Sequence, residues 1–355
     1  MRKSLLIFLL VFSSPAFAQE NSTNSLQFDI SAFLDVYYGY DFVDQMGVEN
    51  RLPFLYNHTN QNRMGINLAL VTLGVKTDYL RANLGIQQGT YARDNYANEP
   101  ELFQWIHQAN VGVALDKNRK FWIDAGVLPS HIGFENAVST ENLTLSRSII
   151  AENSPYFETG LQLSWQKDER WYFAFLYLNG WQRIRAIPGR NRPSFGTQAT
   201  YTPNENIKLN WSTFIGTDQP LEAETMLYFT NFYGDFKLGE GWRLIAGLDG
   251  GRRTLAFDFD RNWWGMSAIL QRQFSEKIAS ALRFEYYNDP FQAIATSLID
   301  QGIQTSGISL NGDWKLGKIA TFRLEGRWLT GPVLGIDSGN SDNYFLLGSF
   351  ALSFN

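Results

Sequence analysis

The sequence predicts an all-β chain, a transmembrane antiparallel up-and-down β-barrel of about 16 strands. Three observations carry that prediction. Apolar and polar residues alternate with period two along almost the whole chain, short and long connections alternate between the alternating segments, and the chain closes on an aromatic strand. Successive strand side chains point to opposite faces, so such segments have one greasy and one wet side.

The closing strand runs from Asn343 to Asn355. Tyr344, Leu346, Gly348, Phe350, Leu352 and Phe354 form its apolar parity, and Asn343, Ser349, Ala351 and Ser353 form the small or polar one. At the other end, Arg2 and Lys3 precede the apolar run Leu5 to Phe12, and Ala16-Phe17-Ala18 precedes Gln19. This pattern is a secretory signal peptide, residues 1–18, and the run is too short for a spanning helix of about 20 residues. Residues 19–355 then form one barrel domain, with only a short polar stretch before the first strand and no plug domain.

Leu80, Ala82, Leu84 and Ile86 alternate with Arg81, Asn83, Gly85 and Gln87. Ile207 to Ile215 and Phe322 to Trp328 repeat the template. In segment 63–76 the parity breaks, since Ile66, Leu68 and Leu70 sit on one parity and Val71, Leu73 and Val75 on the other. A β-bulge is expected there to reset the register. Seven short turns, near residues 77, 117, 168, 204, 240, 276 and 316, alternate with eight longer loops at about 41–62, 91–102, 129–155, 183–194, 217–225, 250–262, 288–301 and 330–342. Short connections on one side and long ones on the other mark an outer-membrane barrel, with turns in the periplasm and loops outside. In hydrocarbon every backbone N–H and C=O needs an internal partner, so alternating strands must close on themselves.

Composition fits this location. Aromatics make up 15% of the chain, as expected where interfacial belts must be supplied. Cysteine is absent, which excludes disulfides and thiolate metal sites. The formal charge is −5, so nucleic acid is not an expected partner; the expected ones are outer-membrane lipid and small hydrophilic solutes or ions. Oligomeric state is left open, with a homotrimer offered by analogy to other sixteen-stranded channels.

A barrel of about 16 strands leaves an aqueous interior. Asp29, Asp35, Arg81, Asn83, Gln87, Gln108, Asn110, Asp124, Glu158, Gln162, Lys208, Asn210, Asp235, Arg243 and Asp249 fall on the inward parity, as do Arg283, Glu285, Arg323, Glu325 and Arg327. The longest loop, 129–155, is expected to fold into the lumen and narrow it, with Leu143, Leu145, Ile149 and Ile150 supporting a helical turn or two. Passive diffusion follows as the expected activity. Candidate constriction residues are Glu135, Glu141, Arg147 and Glu152 on the loop, facing Arg81, Arg283, Glu285, Arg323, Glu325 and Arg327 on the wall. Mutual neutralisation of these charges in pairs is the competing expectation, and net acidity weakly favours cations.

The segment Gly126 to Gly160, GVLPSHIGFENAVSTENLTLSRSIIAENSPYFETG, resembles the central segment of the OmpL-like β-barrel porins (porin-2 type) of Bacteroidota outer membranes. FDISAFLDVYYGYDF (Phe28 to Phe42) and LRANLGIQQGTYA (Leu80 to Ala92) match as well. The resemblance covers most of the mature chain and implies an outer-membrane channel with no catalytic residues. The final Asn355 departs from the pattern, because such barrels usually stop on the aromatic.

Two other functions compete. A hydrolase needs a nucleophile, a base and an orienter. The three histidines are His58, His107 and His131; Ser130 adjoins His131, but neighbouring side chains diverge, and no GxSxG or HExxH motif occurs. A surface receptor or adhesion barrel would use loop aromatics and acids, such as Phe257 to Asn262, which with Asp249 offers oxygens for calcium without the spacing of a calcium loop. No cofactor is expected.

Overall fold

The computed structural model describes residues 26–42, 51–186, 189, 192–217, 225–255, 259–299, 301–334 and 341–354. The expected signal peptide, Asn355, Phe257 and Asp258 lie outside them. Sixteen strands form a closed antiparallel barrel. They are β1 (Gln27–Asp41), β2 (Met64–Lys76), β3 (Leu80–Gln88), β4 (Ile106–Ala114), β5 (Phe121–Pro129), β6 (Phe157–Gln166), β7 (Trp171–Leu178) and β8 (Ser194–Asn204), followed by β9 (Ile207–Gly216), β10 (Met226–Gly239), β11 (Trp242–Thr254), β12 (Arg261–Gln273), β13 (Ile278–Asp289), β14 (Ile303–Lys315), β15 (Ala320–Leu334) and β16 (Asp342–Phe354). Each pairs with its sequence neighbours, and β1 pairs with β16 from Ala32↔Phe354 to Asp41↔Phe345. Among the described residues no strand is left at an open sheet edge.

The greasy parity faces out. On β16, Phe350 is 45% exposed and Ser349 is 2% exposed. Phe345 and Leu347, on the mostly polar parity, are buried inside the barrel beneath the loops. Some outward aromatics stand at the two rims, where an amphipathic ring suits the membrane–water boundary. Trp165, Phe173, Trp171 and Tyr201 stack in sequence at the short-turn end, and Trp328 stacks on Tyr344 at the long-loop end. At the short turns, the carboxylates of Asp116 and Asp168 accept backbone N–H bonds from the residues that follow, closing compact turns.

The expected bulge in β2 is present. Asp35 pairs with Leu68 and Val36 with Ile66, leaving Asn67 as the extra residue. The parity therefore switches before Leu68, so Ile66, Val71 and Leu73 face out while Leu68 and Leu70 are buried inside. Two connections are shorter than expected. β11 continues through Gly250-Gly251-Arg252-Arg253, because a Cβ on Gly251 would lie 2.2 Å from the Trp263 ring, so this glycine makes room for an aromatic rather than a turn. β15 continues through Gly331-Pro332, which sit at a register shift opposite Gln304 to Ser306, where a proline costs no ladder bond.

The loop between β5 and β6 packs against inward-facing side chains of β13 and β15. It carries a 3₁₀ turn at Ser139–Glu141 and a short helix at Ile149–Glu152. Ile149 and Ile150 fall in that helix, whereas Leu143 and Leu145 lie in a run of bends. The lumen is not wet throughout. Leu145, Ile149 and Ile150 join Leu52, Phe54 and Leu55 of the first long loop, Ala293 and Ala295 of the seventh, and inward Leu176, Phe214, Trp263 and Leu329 in an apolar core within the barrel. This core lies toward the long-loop end, and its burial fixes the inserted loop.

Candidate pore constriction

The inserted loop leaves β5 at Pro129, and the Ser130 N–H donates to the Tyr156 carbonyl at 3.1 Å. His131 then lies along the β6–β9 wall. Its Nδ1 meets Glu158 of β6 at 2.5 Å and its Nε2 meets the Thr213 carbonyl of β9 at 2.9 Å. Burial alone would lower the His131 pKa, but the Glu158 carboxylate and these hydrogen bonds raise it above the ordinary value. Ser130 Oγ accepts the Ile132 N–H, so neither residue is arranged as nucleophile and base.

Further along, Thr144, Ser146 and Ser148 alternate with Leu143, Leu145 and Arg147 in an irregular, buried run that docks on the wall of β13–β15. Arg283 of β13 donates to the Ser146 carbonyl (2.6 Å), Ser146 Oγ (2.9 Å) and Thr144 Oγ1 (2.9 Å), and pairs with Glu325 of β15 at 2.8 Å. Glu325 accepts the Ser146 N–H at 2.6 Å, and Glu285 accepts the Ile149 N–H at 2.9 Å. Arg327 pairs with Glu285 at 2.7 Å and reaches the Arg147 carbonyl at 3.2 Å. Arg323 pairs with Asp313 at 2.7 Å and donates to the Ser139 and Asn142 carbonyls. Arg283, Glu285, Arg323, Glu325 and Arg327 are all buried, and Asp313 is partly so. A guanidinium has five donors and cannot shed its charge, so it persists out of water only where carboxylates and carbonyls surround it.

This corrects the expected arrangement. The close ion pairs join wall guanidiniums to wall carboxylates and grip the loop backbone, whereas Glu135 and Glu152 stand near Arg283 and Arg327 but take their hydrogen bonds from other groups. Glu135 accepts the Ser148 N–H and hydroxyl. Glu152 accepts the Tyr56 N–H at 2.8 Å, Asn57 Nδ2 at 3.0 Å and the Tyr156 hydroxyl at 3.3 Å. Burial pushes both carboxyls up, opposed by Arg283 and Arg147 for Glu135 and by Arg147 for Glu152. Arg147 lies over the Tyr156 ring at 3.5 Å and donates to the Ala151 carbonyl. Glu141 is exposed and bonded to Asn136 at 2.7 Å. Arg81 stands apart, paired with Asp124 of β5 at 2.6 Å.

The first long loop supplies contacts that sequence reasoning missed. Asp35 of β1 gathers His58 Nε2 (2.9 Å), Ser139 Oγ (2.8 Å) and Ser349 Oγ, tying the first loop, the inserted loop and β16 together. The bulged Asn67 accepts the His58 N–H at 2.9 Å. The hydroxyl alternation at 144–148 was the available signal for the docked segment; nothing in sequence marks the contacts of His58, Asn57 or Tyr56. Asp260, suggested for calcium, pairs with Arg252, and Asp249 accepts from Asn231 at 2.5 Å inside the barrel.

Open space follows the opposite wall. A cavity of about 930 Å³ at the short-turn mouth is bordered by Asp29, Lys76, Arg81 and Arg119. Arg81 and Asn83 also border a cavity of about 350 Å³ lined by Gln108, Asn110, Asp124, Gln162 and Gln198. Gln108 and Ser130 in turn border one of about 310 Å³ between the inserted loop and β2–β4, near Tyr91, His107, Glu141 and Tyr156. Beyond the Tyr156–Glu152 hydrogen bond, about 210 Å³ opens among the long loops at Tyr56, Glu152, Trp181 and Gln182.

Solved structures of similar shape include bacterial outer-membrane proteins. The anion-selective porin from Comamonas acidovorans aligns with TM-score 0.62 and 10% identity, over 93% of this chain and 100% of that one. The outer membrane channel DcaP of Acinetobacter baumannii aligns with TM-score 0.62 and 9% identity, over 95% and 100%. Salmonella typhi OmpF, in complex with daunomycin, aligns with TM-score 0.63 and 10% identity, over 95% and 99%. At such identities these likenesses establish the fold. Among curated proteins no sequence matches. The sequence profile of the family described as "Putative beta-barrel porin-2, OmpL-like" matches residues 27–354. The chain belongs to that family and is an outer-membrane porin.

Proposed function

We propose that small hydrophilic solutes diffuse passively along the β3–β8 side of the lumen and that the loop 129–155 sets the size limit at Tyr156. The observation that carries this reading is the chain of cavities bordered successively by Arg81, Gln108 and Tyr156, which runs from the short-turn mouth to the inserted loop. Of the candidate residues, Arg283, Glu285, Arg323, Glu325 and Arg327 act as loop anchors rather than as a selectivity ring. Arg147 and Glu152 brace the constriction around Tyr156, Glu135 braces the loop internally, and Glu141 and Arg81 meet the solute. Arg81 is paired with Asp124 and Arg119 with Asp78, so ion selectivity is weak. Export on cleavage after Ala18 belongs to this reading. So does assembly as a homotrimer, the form named for one Vibrio cholerae OmpT structure of similar fold. The porin carries out no chemistry on its solute.

Single-channel recording of the purified protein in a planar bilayer tests this. Discrete open levels are expected, rising when residues 134–150 are replaced by a short Gly/Ser linker. A silent bilayer would contradict it and favour a surface receptor.

A further inference from the structure

The cavity of about 310 Å³ beside the inserted loop has a chemistry of its own. Tyr91 and Tyr156 meet there edge to face with centroids 5.1 Å apart, and His107 lies 6.3 Å from Tyr91. Around these rings stand the Gln108 amide, the Asn136 amide and the exposed carboxylate of Glu141. Ser31 and Thr72 hydroxyls bond each other at 2.6 Å on the facing wall. Among the described residues no lysine or arginine lines this cavity, and the nearby Arg147 guanidinium is stacked behind Tyr156.

Each feature narrows the ligand. A cavity walled by the Glu141 carboxylate, which has an amide partner but no cation beside it, repels anions. Ring surfaces flanked by amides and a carboxylate suit a solute whose faces are C–H and whose edge is hydroxyl: the rings cover the apolar face, and the acceptors and amide donors take the hydroxyls. Its volume is at the small end of the roughly 300–1,000 Å³ of ordinary ligand pockets, which limits it to a solute of about one or two rings at a time. The cavity also lies on the proposed path beside the inserted loop, so a permeating solute passes along it.

We propose that this cavity is a binding subsite for neutral polyhydroxylated solutes, carbohydrates in chemical class, on the diffusion path. The proposal rests on the channel reading above and names the solute class of the same constriction. Binding there raises the local concentration of a sugar in the narrow segment and favours it over an inert solute of equal size.

The test is single-channel recording with maltotriose added to one side, against polyethylene glycol of matched size. Maltotriose is expected to reduce the current saturably, whereas the glycol should reduce it only in proportion to bulk conductivity. Glu141→Gln and Gln108→Ala are each expected to weaken the maltotriose block about five-fold, the loss of one good hydrogen bond, with discrete channel openings retained. Tyr91→Phe keeps the ring and should leave the block within about two-fold. A conducting channel that maltotriose and the glycol affect alike would overturn the subsite and leave the channel reading intact; a protein with no openings at all would overturn both. Equal block of wild type and both polar variants would also overturn it.

Discussion

The two sides of this barrel carry similar residues and do different work. On β13–β15, Arg283, Glu285, Arg323, Glu325 and Arg327 are buried, paired with one another or with Asp313, and bonded to the inserted loop. On β3–β8, Arg81, Asn83, Gln108, Gln162 and Gln198 border open space. The difference is what lies over them. Where the loop docks, wall charges lose their water and become anchors, and where it does not, they remain a hydrated wall. Inward charge alone therefore does not identify a pore-lining residue.

The comparison can be broken by unequal substitutions. Arg283→Met should have the largest effect, about 3–5 kcal/mol, because it strands the buried Glu325 carboxylate and frees the Ser146 carbonyl. It should appear as a lowered unfolding temperature in detergent together with a larger, noisier conductance. Asp35→Asn comes next, at about 1–3 kcal/mol, through its bonds to His58, Ser139 and Ser349; the same melting measurement should show it, and protease cleavage in the loops should speed up.

His131→Gln should cost less, and in a pH-dependent way. The His131 pKa is raised by Glu158 and the accompanying hydrogen bonds above the ordinary value near 6.5. Its stabilisation is thus complete below about pH 6.5 and is lost as pH rises through the raised folded value. The melting difference between wild type and variant should be widest near pH 6 and shrink toward pH 9; a difference that grows with pH would refute the charged pairing. Arg81→Gln should be mildest, about 0–1 kcal/mol, because its partly exposed pair with Asp124 gains little. Its readout is a small change in reversal potential under a salt gradient.

Most of the barrel was legible in the sequence because each strand repeats one rule. Phe350 and Ser349 differ by a single position and face opposite media. The rule failed where glycine served packing, as at Gly251 under Trp263, and where a bulge gave Gly331-Pro332 a place inside a strand. The site was less legible. Parity put Glu325 inside, and loop length put residues 129–155 near it, but which N–H Glu325 accepts depends on where a non-repeating segment comes to rest. The apolar core of Leu52, Phe54, Leu145 and Ile149 is likewise made by three-dimensional meeting of two loops with no shared period.

The chain has no cysteine, so single introduced cysteines report access cleanly. Placing one at Gln108 or Gln162 on the open wall, and one at Ser309 or Asn311 under the docked loop, and adding a charged thiol reagent during bilayer recording compares the two sides directly. Rapid, stepwise loss of current is expected at 108 and 162, with none at 309 or 311. Equal reaction on both walls would contradict the one-sided path.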